Sequence, residues 1–197
     1  AKDFQIADRT IRFAELWNTF CSYGKEIMVS KGHLLSDSDG IKYLVEPLIR
    51  FYTKFTSNAG WINEDEGWTT EAMEAFTHFT YHASGGQMIV CDLQGRYRYS
   101  KYSKNKCRFE LSDPAICSRQ RRYGPTDLGE KGIDSFFANH TCNSFCRDHW
   151  QRPRCTRAWF PRTSGTSMMS SRCSHKLKLN DPTTFRMGFG SILEDDE

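Results

Sequence analysis

Three side chains that commonly bind metals lie close together in the stretch HTCNSFC, at His140, Cys142 and Cys146. On a helix, Cys142 and Cys146 would project from one face about one turn apart, and His140 could join them from the helix shoulder. A closed structural zinc site needs four protein ligands, so this segment alone leaves one ligand to be found elsewhere. The alternative is a buried segment in which each Cys acts as a small hydrophobic residue, and the spacing alone does not decide between the two.

Length and charge exclude a few classes of protein. A chain of 197 residues suits one sizeable domain with a hydrophobic core. No apolar run approaches the roughly 20 residues of a membrane-spanning helix, so we expect a soluble, cytoplasmic (intracellular) protein with no membrane partner. The formal net charge of +3 is too small to indicate a nucleic-acid-binding protein. Irregularly spaced cysteines favour free thiols over a disulfide framework.

Apolar spacing predicts helices at three places. Residues 9 to 21, RTIRFAELWNTFC, place apolar side chains near helical spacing. Residues 69 to 84, TTEAMEAFTHFTYHAS, predict a second helix capped by Thr69 or Thr70. A third helix is predicted over 130 to 148, behind a glycine-bearing loop, and it would carry the HTCNSFC segment.

Strands are predicted from two short apolar runs. Residues 41 to 49, IKYLVEPLI, predict a buried strand that ends at Pro47, and residues 85 to 95, GGQMIVCDLQG, predict a core strand. Residues 96 to 123 are basic and rich in tyrosine, which predicts an extended, functional or partly mobile loop and not a simple hairpin. The basic part of this loop, 96 to 108, is expected to be solvated, with a dock for acidic substrates as the alternative.

An acidic set follows the predicted core strand. Asp92 and Gln94 come at its end, and Asp113 lies in SDP beyond the basic loop. Two carboxylates and an amide oxygen are ligands that suit Mg²⁺ when it carries nucleotide phosphates. The alternative is that each Asp is an ordinary turn or cap residue.

The loop GPTDLG places Gly124 and Gly129 before the third predicted helix. Glycine allows close backbone approach and a helix N-terminus favours anions, so the loop could cradle a phosphate or position a peptide. It lacks the Lys-Ser/Thr of a P-loop, which excludes a Walker-type site.

Four segments, in this order, resemble the catalytic domain of the atypical alpha-kinases, the family of myosin heavy chain kinase, elongation-factor-2 kinase and the channel-kinases. They are AFTHFTYHASGGQMIVCDLQG, SDP, GPTDLGEKGI and HTCNSFC, and the resemblance runs from about residue 40 to 147. It implies an α+β fold of the two-lobed, protein-kinase-like type with a zinc-stabilised C-lobe. The chain begins with Ala, and we expect the N-lobe to be largely truncated. We expect the catalytic domain over 1–150 and a loosely ordered C-terminal extension over 151–197.

The same resemblance implies the missing zinc ligand. The family binds a structural zinc with a His from an SHFTY-like segment and with the H-x-C-x-x-x-C motif. Here THFTY puts His78 in that place, beside His140, Cys142 and Cys146. His82, one turn later, is the rival ligand.

For ATP, the resemblance implies a set of candidate residues before the core strand. LVEPLI resembles the hinge between lobes, where adenine would bond backbone groups around Glu46 and Leu48. KFTSNAGW resembles a segment that puts Lys54 and Asn58 near the nucleotide. The opening AKDF resembles the end of the strand with the family's phosphate-binding lysine, which makes Lys2 the candidate.

For catalysis, the resemblance groups the acidic set. Gln94 and Asp113 would hold Mg²⁺, while Asp92 would position or deprotonate the substrate hydroxyl; the roles of the two aspartates can be exchanged. Gly124 and Gly129 belong to the family's glycine-rich element, which is associated with the peptide substrate.

The resemblance implies a Ser/Thr protein kinase that transfers the γ-phosphate of ATP to a protein hydroxyl. Its cofactors would be ATP, Mg²⁺ and a structural Zn²⁺, and its partner a protein substrate. The alternative is an inactive, zinc-stabilised, kinase-like binding module. A zinc-finger nucleic-acid binder is a third reading, but it does not explain DLQG.

Overall fold

The computed structural model describes residues 2–21, 24–99, 107–154 and 156–169. Within these ranges the α-helices are α1 (Lys2–Phe20), α2 (Trp68–Ala83) and α3 (Glu130–Asn139). The strands are β1 (Glu26–Val29), β2 (His33–Ser36), β3 (Lys42–Val45), β4 (Thr53–Lys54), β5 (Met88–Cys91), β6 (Gln94–Arg98), β7 (Arg108–Leu111) and β8 (Ala115–Ser118). None of the described helices is long and apolar enough to cross a bilayer.

Helix α1 begins earlier than the predicted start at residue 9. Its buried stripe extends back from Trp17 through Thr10 to Ile6, at helical spacing. Lys2 is therefore the first residue of a helix, and its expected place at the end of a strand is wrong. The Lys2 ammonium instead donates a hydrogen bond to the carbonyl of Arg122 at 2.9 Å.

Helix α2 forms where it was predicted and is buried along most of its length. It packs on β5, where the amide of Val90 donates to the Thr80 hydroxyl at 2.9 Å. The predicted threonine cap is wrong, because Gly67 takes the N-cap position without a side-chain bond. The Thr69 hydroxyl donates to the carbonyl of Glu66 instead.

The main sheet has four strands in the order β1, β7, β6 and β4. Strands β6 and β7 form an antiparallel pair, with Gly95 opposite Leu111 and Arg98 opposite Arg108. The prediction of one extended loop over 96–123 is therefore wrong, since this range holds strand residues of β6, β7 and β8. Residues 100–106 of the predicted basic loop lie outside the described residues.

Alternation explains why this basic stretch forms strands. Phe109 is fully buried, whereas the flanking Arg108 and Glu110 lie on the other face. Glu110 accepts ion pairs from Arg96 at 2.6 Å and Arg108 at 3.0 Å. The basic residues of β6 and β7 are thus partners of a carboxylate within the sheet.

Strand β3 covers part of the run 41–49, but the prediction that it is buried is wrong. Within the described ranges it pairs only with β2, in a two-stranded sheet, and all four of its residues are exposed. An apolar run indicates burial only if a second layer packs on it. Leu44 and Val45 remain 45% and 42% exposed.

Two hydrophobic clusters meet at α2. One joins α1, α2 and the main sheet, with Trp17 packed edge-on against Phe76. The other joins β5, β8 and α3 around Ile89 and Phe136. Helix α2 contributes Phe76 to the first and Tyr81 to the second.

Candidate functional site

Asp92 and Asp113 lie just after β5 and β7, in unusual backbone conformations. Their φ angles are 57° and 46°, in the left-handed region that costs a non-glycine residue about 1–2 kcal/mol. Such conformations persist where the surrounding structure fixes them, and they cluster at functional sites. The prediction placed carboxylates here but not this strain.

The Asp92 carboxylate is only 2% exposed and has a different partner on each oxygen. The Lys54 ammonium forms an ion pair with Oδ1 at 2.7 Å. Oδ2 accepts a hydrogen bond of 2.6 Å from the Thr166 hydroxyl. Lys54 reaches this position because β4 pairs with β6, with Lys54 opposite Gln94.

Gln94 contacts the second of the two aspartates, Asp113. Its side-chain nitrogen donates to the backbone carbonyl of Asp113 at 3.0 Å. Donation through nitrogen leaves the amide oxygen as the group that Gln94 can offer to a cation. The structure thus brings Asp92, Gln94 and Asp113 together around the turns after β5 and β7.

Negative charge accumulates in this cleft. Burial raises the pKa of Asp113, and the nearby Asp92 raises it further. Burial also raises the pKa of Glu46, with a contribution from Asp113. Glu46, Asp92 and Asp113 line one small cavity. A bound cation would relieve this repulsion.

The other predicted nucleotide residues divide into two groups. Glu46 lies in the cleft, but the side chain of Leu48 is 85% exposed. Lys2 is held at Arg122, so the structure does not bring its ammonium to Asp92. Lys54 and Asn58 are both at the cleft.

The loop GPTDLG is pinned by a residue that the sequence did not indicate. Asp127 is fully buried and accepts hydrogen bonds from the backbone amides of Ser118 at 2.8 Å, Tyr123 at 3.1 Å and Gly129 at 3.0 Å. Gly124 and Gly129 have φ angles of 93° and 71°, which glycine adopts freely. The loop is therefore a fixed wall of the cleft.

A segment of the predicted extension lies in the cleft. The Asn58 amide nitrogen donates to the carbonyls of Thr126 at 2.9 Å and Ser167 at 2.7 Å. Its oxygen accepts from the amide of Ser167 at 2.9 Å. Residues 156–169 are thus docked on the domain where they are described, and residues 170–197 lie outside the described residues.

The four predicted metal ligands form one cluster. The ligand atoms of His78, His140, Cys142 and Cys146 all lie within 4.8 Å of one another. Cys142 Sγ lies 3.7 Å from His78 Nδ1, and Cys146 Sγ lies 3.6 Å from His140 Nε2. His82 lies outside this cluster, where it accepts from the amide of Gln151 at 3.3 Å.

The backbone reaches this arrangement without the predicted long helix. Helix α3 ends at Asn139, and His140 is its C-cap with extended φ and ψ angles. The prediction of a helix through 148 is wrong, and Cys142 and Cys146 lie in the following turns. Extended backbone at His140 redirects the chain toward α2, which carries His78.

Outer contacts fix the two imidazole rings. His78 Nε2 lies 3.0 Å from the carbonyl of Gln151, and His140 Nδ1 lies 2.9 Å from a Glu74 carboxylate oxygen. Each ring therefore turns its other nitrogen toward a cysteine, as metal-binding histidines do. Burial lowers the pKa of His78 to about 4, which keeps the ring neutral. Arg152, unmarked by any sequence pattern, places its guanidinium 3.0 Å from Cys142 Sγ.

Comparison with known proteins gives consistent matches. The model of the Alpha-kinase family matches residues 1–146. Alpha-protein kinase vwkA of Dictyostelium discoideum is 40% identical over 97 residues, and eukaryotic elongation factor 2 kinase of Mus musculus is 34% identical over 97 residues. Each match covers 49% of this chain but only 14% and 12% of the respective relative.

Solved structures show the same fold. An alpha kinase from Entamoeba histolytica superposes with a TM-score of 0.65 at 26% identity, over 85% of this chain and 69% of the other. The alpha-kinase domain of myosin heavy chain kinase A in complex with ADP gives 0.62 at 27% identity, over 74% and 56%. The same kinase has been solved in complex with ATP.

Proposed function

The chain belongs to the alpha-kinase family, and from this premise we propose that it is a Ser/Thr protein kinase. It transfers the γ-phosphate of ATP to a hydroxyl group of a protein substrate. On this proposal residues 1–150 form the catalytic domain and residues 151–197 its extension. The observation that carries the proposal is Asp92, whose buried carboxylate has one oxygen paired with Lys54 and the other bonded to a hydroxyl group.

Asp92 is the residue that receives the substrate hydroxyl. A general base must lie within about 2.6–3.2 Å of the group whose proton it takes. Because Lys54 occupies Oδ1, Oδ2 is the oxygen that can orient the hydroxyl and accept its proton. Lys54 acts as a positioning residue that holds the carboxylate in this orientation.

Gln94 and Asp113 are the residues that would hold Mg²⁺. Amide and carboxylate oxygens are the hard ligands that this cation prefers. The raised pKa of Asp113 supports a cation here, since a positive charge would offset its repulsion with Asp92. When bound, Mg²⁺ neutralises charge on the transferring phosphate. This assignment leaves Asp92 for the hydroxyl and Asp113 for the metal.

The nucleotide would enter beside Glu46. We expect adenine to bond to backbone groups of residues 46–48. The Leu48 side chain is exposed and takes no part in this recognition. On this proposal Lys54 and Asn58 would contact the phosphates, and Gly124 and Gly129 belong to the adjacent loop, to which Asn58 is bonded. ADP- and ATP-bound structures of a relative support ATP as the donor.

A structural zinc is the second part of the proposal. Zinc binds Cys sulfur at about 2.3 Å and His nitrogen at about 2.0–2.1 Å, so a tetrahedral site has sulfur-to-nitrogen edges of about 3.6 Å. The edges from Cys142 to His78 and from Cys146 to His140 are 3.7 Å and 3.6 Å. Four protein ligands leave no position for water, which favours a structural role over catalysis.

An inactive, zinc-stabilised binding module is the second candidate. One observation favours it: Thr166 already occupies Oδ2 of Asp92, which an external substrate would need. The two functions differ in phosphate transfer and in stabilisation by nucleotide. A chain that shows no shift in melting temperature with Mg²⁺-ATP and transfers no phosphate would favour the module.

The test is phosphate transfer from γ-labelled ATP to a basic protein. We expect the unaltered chain to label this substrate and Asp92→Ala to abolish labelling. Asp65→Ala is the matched control, because Asp65 is exposed on the short turn before α2. Labelling that persists in both Asp92→Ala and Asp113→Ala would contradict the kinase assignment.

A further inference from the structure

The chain from Arg162 to Met169 crosses the cleft and is held at both ends. The Arg162 guanidinium donates to the Asn139 side chain at 2.8 Å, near the end of α3. At the other end, the amide of Met169 donates to the carbonyl of Pro125 at 2.9 Å, in the GPTDLG loop. Residues 161–169 have the sequence PRTSGTSMM and are distant in sequence from the strands that carry Asp92 and Asp113.

Recognition of the segment is through its backbone. Asn58 accepts from the amide of Ser167 and donates to the carbonyl of the same residue, at 2.9 Å and 2.7 Å. A neighbouring β-strand would make the same pair of hydrogen bonds to the Ser167 backbone, so the Asn58 side chain takes the place of a strand. Asn58 is itself buried and bonded to Thr126. A site of this kind fixes an extended peptide with little regard to its side chains.

This backbone alignment places the hydroxyl group of Thr166 against Asp92, the proposed general base. The Thr166 hydroxyl donates to Asp92 Oδ2 at 2.6 Å, a short, charge-assisted hydrogen bond. The Lys54 ammonium donates to the same hydroxyl oxygen at 3.3 Å. Thr166 lies on an exposed stretch of chain, whereas its partner Asp92 is buried.

We propose that Thr166 is the acceptor of an intramolecular phosphorylation, with residues 162–169 as the internal substrate; the inference rests on the proposed kinase function. A bond forms between Thr166 Oγ1 and the γ-phosphorus of ATP. The bond from that phosphorus to the oxygen bridging the β-phosphate breaks, and ADP leaves with its electron pair. The hydroxyl proton passes to Asp92 Oδ2.

After phosphate transfer, charge repulsion favours departure of the phosphorylated segment from the cleft. Phosphothreonine carries about −1.5 to −2 charges near neutral pH. At position 166 this charge would face three carboxylates that line the same cavity, those of Asp92, Asp113 and Glu46. The one nearby cation among the described residues, Lys54, is already paired with Asp92, so the negative charges outnumber it. Repulsion would remove the segment from Asp92 and leave the cleft open to a protein substrate.

The experiment incubates the purified chain with Mg²⁺-ATP and maps phosphate by mass spectrometry. We expect phosphate on Thr166, with an initial rate per molecule that does not change with protein concentration, because the reaction is intramolecular. Thr166→Ala should lose this phosphate, and Thr166→Ser should retain it at the same position. Thr163→Ala is the matched control on the same exposed segment and should keep phosphate on Thr166.

A basic protein in the same reaction separates the two possible failures. If it is phosphorylated while Thr166 remains unmodified, the inference is wrong and the kinase function stands. If neither is phosphorylated, the proposed function fails and the inference fails with it. A rate per molecule that rises in proportion to protein concentration would also overturn the inference, because Thr166 would then be modified by a second copy.

Discussion

The His/Cys cluster and the acidic cleft both join residues that are distant in sequence, but the polar groups of the two regions have different surroundings. In the cluster, the outer nitrogens of His78 and His140 have partners, and the inner ones face sulfur. In the cleft, Asp92 and Asp113 keep left-handed backbone angles, and Asp113 keeps a raised pKa. The first region is arranged for stability, and the second retains strain and charge.

This difference predicts opposite effects of substitution. Removing a ligand from the cluster should damage the fold first and activity as a result. Removing a carboxylate from the cleft should damage activity and leave the fold intact or more stable.

The largest effect is expected for Cys142→Ala. Structural zinc contributes on the order of 10 kcal/mol in small zinc domains, comparable to the whole stability of a typical domain at about 5–15 kcal/mol. We therefore expect loss of zinc and of the folded state, measured by zinc content and by circular dichroism on heating. A chelator applied to the unaltered chain should act in the same way.

Cys21→Ala is the matched control for this substitution. Cys21 is buried but lies in the hydrophobic cluster around Trp17, away from the metal ligands. It should lower stability slightly and leave zinc bound. A Cys142→Ala variant that is soluble, folded and inactive would contradict a structural role for the cluster.

Lys54→Met should come next in magnitude. It leaves the buried Asp92 carboxylate without its counter-charge, and breaking a buried ion pair commonly costs about 3–5 kcal/mol; partial exposure of Lys54 reduces this figure. We expect a lower melting temperature and loss of phosphate transfer. Adding Asp92→Asn should restore stability but not activity. Failure of the double variant to recover stability would show that the ion pair is not the cause.

Asp113→Asn should stabilise the chain while removing activity. The folded-state pKa of Asp113 is raised, so its ionisation disfavours the fold once the pH exceeds its ordinary range. The gain in melting temperature, a few degrees at roughly 2–4 °C per kcal/mol, should grow from about pH 4 upward and vanish in stronger acid. Thermal melts across this pH range would measure it.

Magnesium provides the control for Asp113. Mg²⁺ with nucleotide should stabilise the unaltered chain and narrow its difference from Asp113→Asn. An equal melting temperature of the two proteins at every pH would contradict the proposed repulsion between Asp113 and Asp92.

The smallest effect concerns the internal segment. After incubation with Mg²⁺-ATP, trypsin should cleave after Arg162 several-fold faster, because phosphate at Thr166 is repelled from the cleft. Thr166→Ala should show no such increase on incubation. Equal cleavage rates of the unaltered chain before and after phosphorylation at Thr166 would count against release.

The spacing of apolar residues predicted the elements whose structure depends mainly on their own sequence. Helix α2 and strand β5 formed as expected, because their apolar spacing and the adjacent glycines leave few alternatives. Strand β3 was predicted to be buried, which depends on a packing layer that its own sequence cannot specify. The pairing of β6 with β7 was missed because the arginines in this stretch indicated a solvated loop. In the structure Glu110 neutralises Arg96 and Arg108 within the sheet.

The candidate site divides in the same way. Asp92, Gln94 and Asp113 were identified from short motifs, and His78 from the family resemblance. Asp127 and Thr166 were missed, because their roles depend on contacts that no motif encodes. Thr166 meets Asp92 across 74 positions of sequence, and the backbone pairing of Ser167 with Asn58 contributes to holding it there.

The most direct test compares the unaltered chain with Asp92→Asn for phosphate transfer and zinc content in the same preparations. We expect equal zinc and a folded variant, with transfer from Mg²⁺-ATP to a basic protein falling at least about 100-fold in Asp92→Asn. Undiminished transfer by a zinc-loaded Asp92→Asn protein would contradict the account, because the cleft carboxylate would then be no part of the chemistry.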